Sequence, residues 1–182
     1  VAAHEWLVET TKGALDREVA KRLKTKTYFA QELVARPRRM ALMNLYLHGV
    51  EPQITLGDTI YDPPSGQQFD CILTNPPFGR KSSMTFVSDE GEVGREGLVV
   101  VRDDFWASTS NKQLNFVQHV LTILKPGGRA AAALPDNVLF ADQAGEVMKL
   151  LAEDCDLHTV VRLPRGTFTP YAQGVKANVI FF

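Results

Sequence analysis

The sequence predicts a single α/β domain whose mostly parallel sheet is flanked by helices. Short strand-like runs alternate with helical segments along the chain, and this alternation is typical of α/β folds. The run over residues 129–134 is rich in small apolar residues, which a packed parallel sheet tolerates. A length of 182 residues with 45% hydrophobic content suits one domain with a full core. We therefore expect one domain over residues 1–182.

The first third of the chain predicts helices and two short strands. An i, i+4 apolar stripe indicates helix within residues 1–24, with a break before it near Gly13. A strand is predicted over residues 27–34. Pro37 then lies in the first turn of a helix that ends at Gly49, where a left-handed cap is expected. A second short strand follows over residues 53–56.

The remainder predicts a strand over residues 69–74, a long irregular segment at about 79–110, and further alternating elements. The irregular segment is polar and contains four glycines, which is typical of a functional loop or a disordered one. A helix over residues 111–124 carries apolar side chains on two faces and should be buried on both. The later elements are strands at 129–134, 157–163 and 177–182, with a helix at 142–155.

Composition excludes several classes of protein. The net charge of −1 argues against a chain that binds DNA by electrostatics alone, so much of any phosphate contact must come from elsewhere. The two cysteines lie far apart without partners at ligand spacing, so we expect no metal site and no disulfide framework. No apolar run approaches the roughly 20 residues of a membrane span, and no signal peptide is visible. The cytoplasm is the expected compartment.

The most informative motif is Asn75-Pro76-Pro77-Phe78, directly after the predicted strand 69–74. Asn75 supplies an amide oxygen, and the two prolines stiffen the backbone and remove its N–H donors. The carbonyl of Pro76 is therefore expected to be available as an acceptor, beside the flat apolar face of Phe78. Two acceptors next to an aromatic ring suit a planar substrate with an exocyclic amine, such as adenine. The alternative is a plain proline turn after a strand.

The tetrapeptide resembles the catalytic motif of amino-group DNA methyltransferases. Further segments, in the same order, resemble the modification subunit of type I restriction-modification systems, a family of adenine-N6 methyltransferases. These segments are Gln31-Glu32, residues 42–49, Gly57-Asp58-Thr59, residues 110–116, residues 163–168 and residues 177–182. The resemblance implies a Rossmann-like core that uses S-adenosyl-L-methionine. It also implies double-stranded DNA with a flipped adenine as substrate, and specificity and restriction subunits as partners.

The resemblance assigns roles to the tetrapeptide. Asn75 and the Pro76 carbonyl would accept hydrogen bonds from the adenine amine, Pro77 would stiffen the turn, and Phe78 would stack on the target base. By position after a strand, Glu32 would accept the ribose hydroxyls of a nucleoside cofactor. Asp58 matches a family acid that accepts from the cofactor's adenine amine. The alternatives are a solvated charge for Glu32 and ordinary Gly-Asp turn chemistry for Asp58.

Residues outside these motifs are weaker candidates. Residues 12–39 contain nine basic and three acidic side chains, and we interpret them as a solvated helix face rather than a nucleic-acid patch. Arg80 and Lys81, next to the motif, are better placed to contact phosphate. Tyr171 matches a late family segment near the target-base pocket.

In the family, the first strand and its glycine-rich loop hold the cofactor, and that strand would lie upstream of Val1. We therefore expect an incomplete gene product or excised fragment, with its sheet divided between strands 27–34 and 69–74, that binds cofactor poorly. Two other functions stay open. One is a non-catalytic truncated scaffold, and the other is a methyltransferase for RNA adenine or protein glutamine. Phe78 and the segment from Asn111 favour the DNA enzyme, and a motif that begins with Asn argues against cytosine as the target.

Overall fold

A computed structural model describes residues 1–11, 14–61, 66–78, 83–87, 93–97, 99–141, 143–170, 172 and 174–182. The chain forms two compact units, Val1–Asp62 and Pro63–Phe182. The prediction of a single domain over residues 1–182 stays a prediction. No helix in the described part of the chain is long and apolar enough to cross a membrane.

The described part of the first unit contains three helices and a two-stranded parallel sheet. Its elements are α1 (Ala2–Thr10), α2 (Arg17–Thr25), β1 (Phe29–Glu32), α3 (Ala35–Leu47) and β2 (Gln53–Leu56). The Asp16 carboxylate caps α2 by accepting from the Val19 amide at 2.8 Å. Gly49 follows α3 with a φ of +70°, as predicted. The predicted break between α1 and α2 and both predicted strands are confirmed.

The β1–α3–β2 connection fixes where the chain turns at the edge of this small sheet. β1 and β2 run parallel, with Phe29 opposite Gln53 and Glu32 opposite Leu56. Glu32 therefore ends β1 at the same edge at which Asp58 follows β2. Three large apolar side chains of α3 are exposed: Met40, Met43 and Leu47, the last of which is 82% exposed.

The second unit is built on a four-stranded sheet with the order β3-β6-β8-β7. Its described elements are β3 (Phe69–Thr74), β4 (Ser83–Val87), β5 (Val93–Gly97), α4 (Lys112–Ile123), β6 (Leu124–Pro135), a short 3-10 helix (Asp136–Val138), α5 (Ala144–Asp154), β7 (Thr159–Arg162) and β8 (Ala177–Phe181). β3 and β6 are parallel, whereas β8 runs antiparallel to both of its neighbours. The predicted α/β class is confirmed, with sheets that are mixed.

The core of the second unit lies between this sheet and helices α4 and α5. Its fully buried side chains come from all three components: Leu114, Val117, Leu134, Val147, Leu151 and Ile180. α4 buries most of its surface, which confirms the prediction of a helix buried on two sides. The Asn111 side chain caps α4 by accepting from the amides of Gln113 and Leu114. This packing holds the first turn of α4 in place beside the sheet.

The structure differs from the sequence-based expectation in the segment at about 79–110. β4 and β5 form an antiparallel hairpin there, with Ser83 opposite Gly97 and Val87 opposite Val93. Polar and apolar residues alternate along residues 83–86, which is the pattern of a strand, and the glycines around it obscured that signal. The predicted division of the sheet is observed: within the described residues, β1 pairs with β2, and β3 pairs with β6.

Candidate functional site

The tetrapeptide lies at the carboxyl end of β3, at the edge of the four-stranded sheet. β3 pairs with β6 up to Thr74, which lies opposite Ala132. Asn75 follows at once with its side chain exposed, Pro76 is buried, Pro77 is exposed and Phe78 is half-buried. The buried Pro76 anchors the turn in the protein while Asn75 faces outward. The turn is therefore presented at an open sheet edge, where polar groups of Asn75 can meet a ligand.

One of the two proline carbonyls in this turn is held by a side chain from α4. The side-chain amide nitrogen of Gln113, Nε2, donates to the Pro77 carbonyl oxygen at 3.0 Å. Within the described residues, no hydrogen bond reaches the Pro76 carbonyl. This agrees with the expectation that the Pro76 carbonyl can accept from a ligand, and it adds a contact to Pro77 that the sequence did not indicate.

Polar side chains of α4 also hold the backbone that precedes this helix. Asn115 is fully buried and donates to the Thr109 carbonyl at 3.0 Å. Gln118 accepts from the Ala107 amide at 2.7 Å and donates to the Ala107 carbonyl at 3.1 Å. Buried amides of this kind must be satisfied. The amide side chains of Gln113, Asn115 and Gln118 therefore connect the preceding loop and the turn after β3 to one helix.

Phe78 has an aromatic partner that sequence reasoning did not assign to the site. The rings of Phe78 and Phe168 meet edge to face, with centroids 4.7 Å apart and planes at 82°. This is a favoured arrangement for two aromatic rings. Phe168 is half-buried and belongs to the segment after β7 that was noted only for its family resemblance.

A cleft of about 480 Å³ lies next to Phe78. Its other walls come from the end of β6 and from the segment before β8: Pro135, Asp136, Asn137, Gly174, Val175 and Lys176. Asp136 accepts from the Asn178 amide and from Arg162, each at 2.7 Å. The hydrogen bond from Asn178, with a smaller contribution from Arg162, holds the pKa of the Asp136 carboxyl below its usual value. The cleft wall thus contains a carboxylate that stays ionised and fixed.

A larger cavity, of about 1150 Å³, lies at the opposite end of the sheet. Its lining includes Leu124 and Lys125 at the start of β6 and Phe181 at the end of β8. None of the tetrapeptide residues lines it. We therefore place the candidate site at the smaller cleft, which Phe78 lines, together with the exposed Asn75 of the same turn.

Glu32 and Asp58 both make local turn contacts at the edge of the other sheet. One Glu32 carboxylate oxygen accepts from the Val34 amide at 3.0 Å. One Asp58 carboxylate oxygen accepts from the amides of Ile60 at 2.9 Å and Tyr61 at 3.3 Å. Asp58 therefore makes the hydrogen bonds that its alternative interpretation, as an ordinary turn residue, predicts. Both side chains are half-buried, so that both can also reach a ligand.

Three further candidates, Arg80, Lys81 and Tyr171, lie outside the described residues. In the described part of the chain, no group of three or more His, Cys, Asp or Glu side chains could hold a metal ion.

Comparison with known proteins identifies the family of this chain. The family model of N-6 DNA methylases matches residues 3–182. The chain belongs to the N-6 DNA methylase family. The family resemblance inferred from the ordered segments is thereby confirmed.

Several relatives of this N-6 DNA methylase are named as parts of type I restriction-modification systems. The methylase subunit of the type I restriction enzyme StySPI from Salmonella potsdam is 44% identical over 165 residues, which make up 86% of this chain. The crystal structure of the EcoKI M protein superposes with a TM-score of 0.80 at 37% identity, over 99% of this chain and 36% of that one. A type I restriction-modification structure on complex assembly gives a TM-score of 0.81 at 33% identity, over 100% of this chain and 34% of that one. The chain spans 28% of the length of the StySPI relative.

Proposed function

We propose that this N-6 DNA methylase is the catalytic part of an adenine-N6 DNA methyltransferase, the modification subunit of a type I restriction-modification system. The observation that carries the proposal is the exposed Asn75 beside Phe78, at a sheet edge where Pro76 is buried and anchored. Membership of the family and the similarity to type I methylase subunits support it. A proline turn without a function would not need an exposed amide next to a half-buried aromatic pair and a cleft.

The chemistry required of the turn is modest. The lone pair of the adenine amine is delocalised into the ring, so the amine is a weak nucleophile. The Asn75 amide oxygen and the Pro76 carbonyl would accept its two hydrogens and favour a more tetrahedral, electron-rich nitrogen. No strong base is needed, because the proton can leave to water after transfer. Orientation and fixed dipoles would supply most of the acceleration.

The aromatic pair would hold the base. Phe78 would stack on an adenine that has left the duplex, and extrusion of a base costs about a few kcal/mol. Phe168 contacts Phe78 edge to face and so limits the orientations of its ring. A ring that is already fixed binds a planar base with less loss of entropy.

The residues at the edge of the β1–β2 sheet fit a nucleoside cofactor. Glu32 uses one carboxylate oxygen for the Val34 amide, and the second is an acceptor suited to ribose hydroxyls. Asp58 would accept from the adenine amine of the same cofactor. S-adenosyl-L-methionine, when bound, supplies an electrophilic methyl group on sulfur.

The sequence target must be read elsewhere. Discrimination of bases needs side chains in a groove of the duplex, and a chain with a net charge of −1 contributes little general attraction to DNA. A specificity subunit that reads the target and a restriction subunit are therefore the expected partners. A DNA substrate favours the cytoplasm as the compartment.

Methyl transfer from labelled S-adenosyl-L-methionine tests the proposal. The full-length protein, assembled with its specificity subunit, is offered unmethylated DNA, premethylated DNA and RNA in separate reactions. We expect label at adenine N6 of the unmethylated DNA alone. Label on RNA or protein would reassign the substrate, and no transfer to any acceptor would favour the non-catalytic scaffold.

A further inference from the structure

We infer that Gln113 is a positioning residue of the catalytic turn, which it fixes through the carbonyl of Pro77. The inference rests on the proposed function, because it assigns a role in the same methyl transfer. Gln113 contacts the backbone of the turn, so it would act through Pro76 and Asn75.

The contact is directional, with a buried donor residue and an exposed acceptor residue. The amide nitrogen of Gln113 lies 3.0 Å from the Pro77 carbonyl oxygen, and the Gln113 residue is only 5% exposed. A carbonyl can only accept a hydrogen bond, so the amide must present its nitrogen to Pro77.

The turn offers few backbone groups through which the protein can hold it in place. Pro76 and Pro77 have no N–H groups, so the backbone at these two residues can be held only through carbonyls and ring packing. If the Pro76 carbonyl binds the substrate, the Pro77 carbonyl is the backbone acceptor of these two prolines that remains for a contact within the protein. Gln113 occupies that acceptor.

The backbone of Gln113 is held rigidly at the start of α4. It is the second residue of α4, and its own amide is capped by Asn111 at 3.0 Å. The next residue, Leu114, is fully buried in the core. Gln113 thus links the core of the second unit to the turn from the first turn of a helix.

The same helix offers a matched control. Gln118 is also a buried glutamine that donates to a backbone carbonyl, at 3.1 Å, but its partner is Ala107. Loss of that donor should disturb folding to a similar degree without touching the turn after β3. Any effect that Gln113 variants show and Gln118 variants lack is then specific to the catalytic turn.

The experiment compares Gln113→Glu, Gln113→Met and Gln118→Glu in the full-length protein with its specificity subunit. Single-turnover methyl transfer, the dissociation constant of S-adenosyl-L-methionine and the melting temperature are each measured from pH 5 to 8. A 1 Å shift of reacting groups can cost about 10²-fold in rate. We therefore expect both Gln113 variants to lower the transfer rate by about 10- to 100-fold at neutral pH, with cofactor affinity within about twofold of wild type.

Acid should rescue one of these variants. The carboxylate that Gln113→Glu introduces cannot donate to Pro77 while it is ionised, but its protonated form can, and burial raises the pKa of a carboxyl. The rate of Gln113→Glu relative to wild type should therefore rise as the pH falls, whereas Gln113→Met has no proton to regain and should stay slow. Gln118→Glu should change the melting temperature with pH and leave the rate per folded molecule within about twofold of wild type.

Two results would overturn the inference. One is a transfer rate of Gln113→Met within twofold of wild type, and the other is equal loss of rate in Gln113 and Gln118 variants that are equally folded. If Gln113→Glu does not fold, Gln113→Met alone decides. A wild-type protein that transfers no methyl group would instead contradict the proposed function.

Discussion

Phe78 and Phe168 are separated by 90 positions in the chain, yet their rings meet edge to face at a centroid distance of 4.7 Å. Phe78 follows the carboxyl end of β3, and Phe168 lies between β7 and β8. β3 and β7 are the two outer strands of the four-stranded sheet. The contact therefore links the turn after β3 to the segment between β7 and β8, next to the cleft that Phe78 lines.

Replacement of Phe168 by Leu should weaken methyl transfer without unfolding the protein. The variant keeps apolar volume but loses the edge-to-face contact, and such pairs contribute about 0.5–1.5 kcal/mol. We expect kcat/KM for DNA to fall by roughly 2- to 10-fold, measured by transfer of labelled methyl groups.

Phe105→Leu is the matched control for this experiment. Phe105 is also half-buried and has a ring contact, with Arg102 at 4.1 Å from its centroid, but this contact does not involve Phe78. Its replacement should leave kcat/KM unchanged. Equal losses in the two variants would mean that Phe168 acts only through general stability.

Asn75→Ala should abolish most of the transfer while cofactor binding survives. The exposed Asn75 amide is proposed to accept from the amine that attacks, so its loss acts on the transition state. Removal of one polar group that stabilises a transition state typically costs about 10²- to 10³-fold in kcat. Single-turnover rates and the dissociation constant of S-adenosyl-L-methionine test both parts.

Asn44→Ala provides the control for the substitution itself. Asn44 lies exposed on α3 in the first unit, and its replacement should leave the rate at the wild-type value. Transfer by Asn75→Ala at the wild-type rate would remove Asn75 from the mechanism.

Local patterns were sufficient to predict most elements. Gln53–Leu56 and Phe69–Thr74 have the bounds that their apolar runs and flanking turn residues indicate. The helix expected from residue 111 begins at Lys112 because Asn111 caps it. A cap of this kind can be read from the sequence because it depends only on neighbouring residues. The position of Asn75 directly after β3 was also predictable, because a proline pair after a strand restricts the backbone of the turn, whereas its role in catalysis stays a prediction.

Contacts between distant segments could not be predicted. Nothing in the residues around Gln113 indicates that its amide binds a carbonyl 36 positions earlier, since any buried polar group could have been its partner. The partnership of Phe168 with Phe78 depends in the same way on the antiparallel return of β8, and the sequence predicted a mostly parallel sheet. The local contact of Asp58 with Ile60, by contrast, was one of the two interpretations drawn from the sequence. A side chain that makes this turn contact can also bind a cofactor, so the fold is compatible with both interpretations.

Stability should fall in acid because of His119. His119 is 7% exposed on α4, and its Nδ1 lies 3.4 Å from Arg102, which can only donate. Burial, with a further contribution from the Arg102 charge, lowers the pKa of His119 to about 4. The unfolded chain binds a proton near pH 6.5 that the folded protein does not yet bind, so stability declines as the pH falls from about 6.5 to 4.

The decline attributable to His119 is about 3 kcal/mol over that range. Denaturant unfolding at a series of pH values measures it, and His119→Gln should flatten the profile because glutamine does not titrate. His158→Gln, at an exposed position, should keep the wild-type profile since His119 is intact. An unchanged slope in His119→Gln would show that other groups cause the acid sensitivity.

The last prediction concerns the strand that supports the cleft. Leu134 is fully buried near the end of β6, directly before Pro135 and Asp136 in the cleft wall, whereas Leu73 on the neighbouring β3 is 64% exposed. Leu134→Ala should lower the free energy of unfolding by about 2–5 kcal/mol through lost burial and a cavity, and Leu73→Ala by no more than about 0.5 kcal/mol. The fluorescence of Trp106, which packs against the core of the second unit, reports this unfolding in a Trp6→Phe background. Similar losses in the two variants would mean that Leu73 is buried in the folded protein, against its exposure in this structure, and that the turn after β3 starts from a covered strand.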